Sequence, residues 1–93
     1  MEIFCHEEGN ARVFSLKGRL EFGDFPDSTQ VLDALEDESI IQVIIDLTEL
    51  EFMDSAGVGL LIGFNKTAGE KGKTIVLRGA SGAVGKLLDL FQL

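Results

Sequence analysis

The sequence predicts an α/β fold: one domain spanning residues 1–93, with a mixed, mostly parallel β-sheet, an N-terminal antiparallel hairpin and about three helices packed against it. Three observations predict this. Two short runs, "IIQVIIDL" from Ile40 and "KTIVLRG" from Lys73, are almost continuously apolar, the pattern of strands covered on both faces of a parallel sheet. Segments with helical spacing alternate with them, so the order reads β-β-α-β-α-β-α, and strand–helix–strand units imply parallel pairing with right-handed crossovers. The opening residues instead carry two strand-like runs separated by a tight turn.

Each element has its own signal. "EIFCHEEGNARVFSLKG" reads as two strands joined at Gly9-Asn10, with Val13 and Ser15 on one face and Phe14 and Leu16 on the other. "FPDSTQVLDALEDES" reads as a helix entered through Pro26 and capped by Asp27 or Ser28. Its Val31, Leu32 and Leu35 fall on one stripe, and Asp33, Glu36 and Asp37 on the wet side. "IIQVIIDL" is a central strand, "KTIVLRG" a second strand of the same sort, and "SGAVGKLLDLF" a closing helix. That last helix has Ser81 as its cap and Val84, Leu87, Leu88 and Phe91 on its apolar face.

Length and charge narrow the function. Ninety-three residues suffice for one core and not for two. Apolar residues make up 45% and charged residues 26%, a balance that argues for a folded chain. A net charge of −8 repels nucleic acid and anionic lipid, which leaves another protein as the expected partner. No apolar run approaches the roughly 18 residues of a membrane-spanning helix. The N-terminus "MEIFCHEEG" lacks the basic and apolar regions of a secretory signal, and the single cysteine, Cys5, has no internal disulfide partner. The expected location is the cytoplasm.

The stretch "FMDSAGVGLLIGF", Phe52 to Phe64, carries the functional signal. Ser55 reads as the N-cap of a helix, at the end of a turn following the central strand. In open α/β sheets, sites collect outside the carboxyl ends of the strands. On a helical wheel Val58, Leu61, Phe64 and Ala68 share an inward arc, while Ala56, Gly59, Gly63, Lys66, Thr67 and Glu70 point outward, with Leu60 exposed at the edge. No charge appears between Ala56 and Phe64, so the wet side of the first two turns is nearly bare. Each interior glycine costs roughly 0.5–1 kcal/mol of helix stability relative to alanine. Gly57 falls inward, where close packing on the sheet explains it; Gly59 and Gly63 do not, and a smooth face that another protein can approach is the better account.

"VIIDLTELEFMDSAGVGLLIGF" closely resembles the signature of STAS domains, in particular the bacterial anti-sigma factor antagonists. "LKGRLEF" is similar to that family's second strand with its Gly-x-Leu-acid turn, and "GASGAVGKLLDLFQL" to its last strand-to-helix segment. The resemblance implies a non-enzymatic switch without cofactor. In that family the serine after Met-Asp is phosphorylated by a partner kinase, often itself the anti-sigma factor. The unmodified form binds the partner and the phosphorylated form releases it. Carried onto this chain, the acceptor is Ser55, and Glu21, Asp54, Ala56, Gly57, Gly59, Leu60 and Gly63 make up the partner surface. A serine phosphatase is the further partner to look for. Glu21 stands where the family usually has Asp, and Ala56 where many members have a second Ser or Thr, which leaves Ser55 as the acceptor. Many relatives continue past the position of Leu93 with another strand or helix, so the expectation is either a minimal version or a last helix with apolar surface left for a partner.

Other chemistries fit poorly. "GASGAVGK" departs from the phosphate-loop pattern at Ala80 and at Leu87, where Gly and Ser or Thr are required. Cys5 and His6 are adjacent on a strand and point to opposite faces, so they do not suggest a metal site. A single histidine and no elbow turn around Ser55 argue against a hydrolase. The rival expectations are a constitutive scaffold of the same fold in a larger signalling complex, never phosphorylated, and a small nucleotide-binding protein.

Overall fold

The computed structural model describes residues 1–21 and 29–90. The elements are β1 (Glu2–Glu8), β2 (Ala11–Leu20), α1 (Thr29–Glu36), β3 (Gln42–Met53), α2 (Ser55–Glu70), β4 (Thr74–Arg78) and α3 (Gly82–Leu90). They form one four-stranded sheet in the order β1-β2-β3-β4, with β1 antiparallel to β2 and the other pairs parallel. This is the expected mixed sheet with its hairpin and helices. The hairpin turns on two residues: Glu8 faces Ala11, and Gly9 takes φ 64°, the left-handed conformation such turns require.

The strand period sorts side chains onto two unlike faces. Phe14, Leu16, Val43, Ile45 and Leu47 join the main core, together with the buried residues of all three helices. The expectation that β3 would be covered on both sides is therefore corrected. It is central, but the described helices pack on one face, and on the other Ala11, Val13 and Ile44 form a small cluster of their own. A polar network shares that face of the sheet. Arg78 on one edge strand meets Glu8 of the opposite edge strand at 3.4 and 3.5 Å, the two side chains together bridging β2 and β3. On the way it meets Asp46 at 3.4 Å, and His6 Nε2 lies 2.8 Å from Glu8. Hydrogen bonds from the Thr48 hydroxyl and N–H, and then Arg78, hold the Asp46 carboxyl below the usual carboxylate range.

"KTIVLRG" is likewise not interior: β4 is an edge strand, with Ile75 and Leu77 half-buried and Val76 exposed. β3 also runs on to Met53, through residues expected to form a turn. Its apolar period lengthens from two to three, with Leu47, Leu50 and Met53 all buried. The register accounts for this. Ser15 to Lys17 faces Asp46 to Glu49, and Gly18 to Arg19 faces Leu50 to Phe52, so β3 holds an extra residue at each of two irregularities.

In α1, Val31 and Leu35 are buried as expected, joined by Ala34. Leu32 is 39% exposed rather than packed inward. Asp33 and Glu36 are exposed, while Asp37 is half-buried, ion-paired to Arg12 at 3.4 Å and bonded by Ser39. The expected entry through Pro26, Asp27 and Ser28 lies outside the described residues. In α3, Val84 and Leu88 are buried and Leu87 half-buried; Ser81 stands at the cap position, its carbonyl accepting the Gly85 N–H at 3.1 Å, and Phe91 lies outside the described residues.

Candidate functional site

The site is built where β3 runs directly into α2 at the carboxyl ends of the parallel strands. One residue separates the two elements, and it is Asp54. Its backbone is extended (φ −94°, ψ 179°), its Oδ1 accepts the Gly57 N–H at 2.8 Å, and its carbonyl accepts the Val58 N–H at 3.1 Å. Asp54 is therefore the N-cap. The expectation that Ser55 caps the helix is corrected: with no turn after β3, every residue sits one place further into the helix, and Ser55 is its first residue. Its side chain is exposed.

The Asp54 N–H donates to the Leu20 carbonyl at 3.3 Å, which ties the mouth of α2 to the end of β2. Gly57 lies in that junction and is buried. A Cβ there would stand 2.7 Å from Met53 Cγ and 2.8 Å from the Leu20 carbonyl oxygen, so the close approach of helix to strand requires glycine. Gly59 and Gly63 are exposed, and a Cβ at either would meet nothing within 4 Å. Neither is needed for packing.

The outer face of α2 and the facing side of α1 enclose an open cleft of about 420 Å³, lined by Leu32, Ala56, Gly59, Leu60, Gly63, Phe64 and Thr67. Four residues singled out from sequence (Ala56, Gly59, Leu60 and Gly63) thus share one surface, although Leu60 is half-buried rather than exposed. Leu32, Phe64 and Thr67 complete it. Leu32 escaped sequence reasoning because its spacing from Leu35 placed it on the buried stripe. Ile62, 43% exposed, is a second outward aliphatic that the wheel did not single out.

Glu21 belongs elsewhere. It lines a separate hollow of about 410 Å³ with Lys17, Arg19 and Glu51 among its walls. Arg19 Nε donates to Glu21 at 2.7 Å, and its guanidinium stacks over the Phe52 ring with 4.1 Å to the centroid. Arg19 and Phe52 were not legible as neighbours of Glu21; the signal was an Arg two places before it, at the end of β2. Asp54 and Ser55 lie in the chain between the two surfaces, joined to the Glu21 side through the Leu20 carbonyl and to the cleft through Ala56.

The arrangement offers an exposed hydroxyl at a helix start, a carboxylate already filling the helix mouth, and a smooth apolar cleft next to both. Among the described residues no group of acidic, histidine or cysteine side chains could hold a metal ion, and no helix is long and apolar enough to cross a membrane. Cys5 is exposed and unpaired, and the His6 ring is engaged by Glu8.

Comparison with known proteins places these features in context. The family model described as Mlab, STAS domain, matches residues 3–93. An anti-sigma-B factor antagonist of Staphylococcus epidermidis is 30% identical over 73 residues, covering 78% of this chain and 68% of that protein. Among solved structures, the anti-sigma factor antagonist SpoIIAA in its unphosphorylated form superimposes with a TM-score of 0.78 at 21% identity, over 96% of this chain and 83% of its own. An anti-sigma factor antagonist from Mycobacterium paratuberculosis gives 0.77 at 23% identity, over 98% and 77%. At these identities the two structures speak for the fold.

Proposed function

The chain belongs to the STAS domain family, with the anti-sigma factor antagonists, and from that premise we propose that it is a protein-binding regulator whose affinity for its partner is set by phosphorylation of Ser55. The partner is an anti-sigma factor that is also a serine kinase, with a serine phosphatase to reset the switch. The protein works in the cytoplasm, as a substrate of the kinase and not as an enzyme. The observation that carries the reading is the exposed Ser55 at the first position of α2, next to a cleft whose small residues the fold itself does not need.

The geometry suggests how a phosphate would act. Asp54 already occupies the Gly57 N–H, so the anion-binding capacity of the helix start is partly spent. A phosphate on the Ser55 oxygen adds about −1.5 to −2 charge beside that carboxylate and is driven outward. The unmodified partner surface would be Ala56, Gly59, Leu60 and Gly63 in the cleft, with Asp54 supplying negative charge beside it, Gly57 holding the junction closed and Glu21 a further contact in its own hollow. After phosphorylation a partner fitted to that smooth surface meets bulk, charge and bound water, while the core of the domain is untouched.

Support for a phosphorylation cycle comes from SpoIIAA, which is solved in a phosphorylated as well as an unphosphorylated form. The rival reading is an adaptor of the same fold, a constitutive scaffold in a larger signalling complex that is never phosphorylated. Treatment with the purified anti-sigma factor kinase of the same organism and ATP, followed by phosphopeptide mapping, separates the two. Label on Ser55 alone, with loss of kinase binding by calorimetry, is the expected result. Label on Ser81 or Thr48 with Ser55 clean, or equal affinity of the unmodified and phosphorylated forms, would overturn the switch and leave the adaptor.

A further inference from the structure

The two walls of the cleft are not held equally. α2 buries Gly57, Val58, Leu61, Phe64 and Ala68 along its length, whereas α1 is half as long and buries Val31, Ala34 and Leu35. At its C-terminal end α1 is also held by hydrogen bonds. A helix leaves its last carbonyls without internal partners. Here the Leu35 carbonyl, in the last turn, and the Asp37 carbonyl just beyond accept hydrogen bonds of 2.7 and 2.6 Å from Lys73 Nζ. Lys73 is half-buried and lies between α2 and β4. Its own N–H donates to the Ala68 carbonyl at 2.8 Å and so helps to close α2. One residue therefore bonds the C-terminal ends of both helices, by its main chain to α2 and by its side chain to α1. A cation there also complements the negative end of the α1 dipole.

We infer that Lys73 is the positioning residue of the cleft. From the end of α2 remote from Ser55 it clasps α1 to α2 and sets the separation between Leu32 on one wall and Gly59 and Gly63 on the other. The inference rests on the reading of that cleft as the partner surface. The neighbouring ion pairs do not duplicate the clasp. Lys71 to Glu36 at 2.7 Å is a surface pair, and pairs of that kind constrain little; Arg12 to Asp37, half-buried at 3.4 Å, ties the end of α1 to β2 and not to α2. Lys73 instead satisfies main-chain carbonyls, which cannot swing away without moving the helix.

The test measures wall separation with no partner present. Spin labels at Asp33→Cys and Lys66→Cys, exposed positions on α1 and α2, in a Cys5→Ser background, report the distance by double electron–electron resonance. Lys73→Met keeps the aliphatic stem and is expected to shift and broaden the distance distribution; Lys73→Arg restores N–H donors and returns it to the wild-type shape. Affinity for the purified anti-sigma factor kinase is expected to fall about tenfold in Lys73→Met and to recover in Lys73→Arg. An unchanged distribution in Lys73→Met overturns the inference, whatever the kinase does. A shifted distribution with unchanged affinity upholds the clasp and removes the cleft as partner surface, so the two failures are told apart. Should Lys73→Met not fold, Lys73→Gln, with a neutral donor, takes its place; loss of folding there as well assigns Lys73 to general stability and overturns the inference.

Discussion

The inner and outer faces of α2 use glycine for opposite reasons. On the inner face Gly57 is where β2, β3 and the helix mouth converge, and a single added carbon would collide with the Leu20 carbonyl and Met53. On the outer face Gly59 and Gly63 look into open space. The first glycine is a packing requirement. The others weaken the helix without easing any contact, so what they preserve is the surface itself. A glycine's role is thus read from what a Cβ would touch and not from its presence in a helix.

The largest expected effect comes from breaking the inner face. Gly57→Ala forces a methyl against a backbone oxygen that cannot rotate away, and overpacking of that kind costs about 1–3 kcal/mol. Urea denaturation should show a lower midpoint. A midpoint equal to wild type would mean that the helix mouth is slack, and the contrast between the faces would lose its basis.

The outer face should respond with the opposite sign. Gly59→Ala and Gly63→Ala meet no neighbour, so each is expected to stabilise the protein by about 0.5–1 kcal/mol through helix propensity. Gly63→Gln places a long side chain over the cleft and should weaken kinase binding while the fold stays at least as stable. Thermal melts beside a binding titration decide the matter. A destabilised Gly63→Gln would turn this glycine into a packing residue like Gly57.

Sequence and structure agree best where one physical rule dominates. The hairpin at Gly9-Asn10, the burial of Val58, Leu61, Phe64 and Ala68, and the mixed sheet all follow from period and turn chemistry acting alone. The mismatches arise where a nearby element changes the rule. Two extra residues in β3 carry the strand through "TELEFM", and that shift moved the cap from Ser55 to Asp54. Val13 and Ile44 imitate a doubly covered sheet because they are buried on the face away from the described helices, and no periodicity announces which face those helices take. The cleft was half legible: its α2 wall is a local pattern, while Leu32 and the Lys73 clasp depend on how α1 docks.

The two residues at the helix mouth offer a finer contrast. Asp54 supplies the capping bond to Gly57, so Asp54→Ala should cost about 0.5–2 kcal/mol, while Asp54→Ser should recover most of it. Chemical denaturation of the three proteins gives the comparison directly.

Ser55 should be the quietest position of all in the unmodified protein. It follows the cap and its side chain is exposed. Ser55→Ala is therefore expected to change stability by no more than about 0.5 kcal/mol. Under the proposed switch, the variant should bind the kinase at least as well as wild type and resist release by ATP. Ser55→Asp should be an incomplete imitation of the phosphorylated state. One carboxylate adds about −1, whereas a phosphate adds about −1.5 to −2 with three acceptor oxygens. A partner that accommodates Asp54 has room to tolerate another carboxylate at reduced affinity. The expected order of affinity is Ala at least equal to unmodified Ser, then Asp, then phosphoserine, read by calorimetry on the four forms. A Ser55→Ala protein that melts like Asp54→Ala would show the serine sharing the cap, and the division of labour between neighbouring residues, one for the fold and one for the switch, would fail.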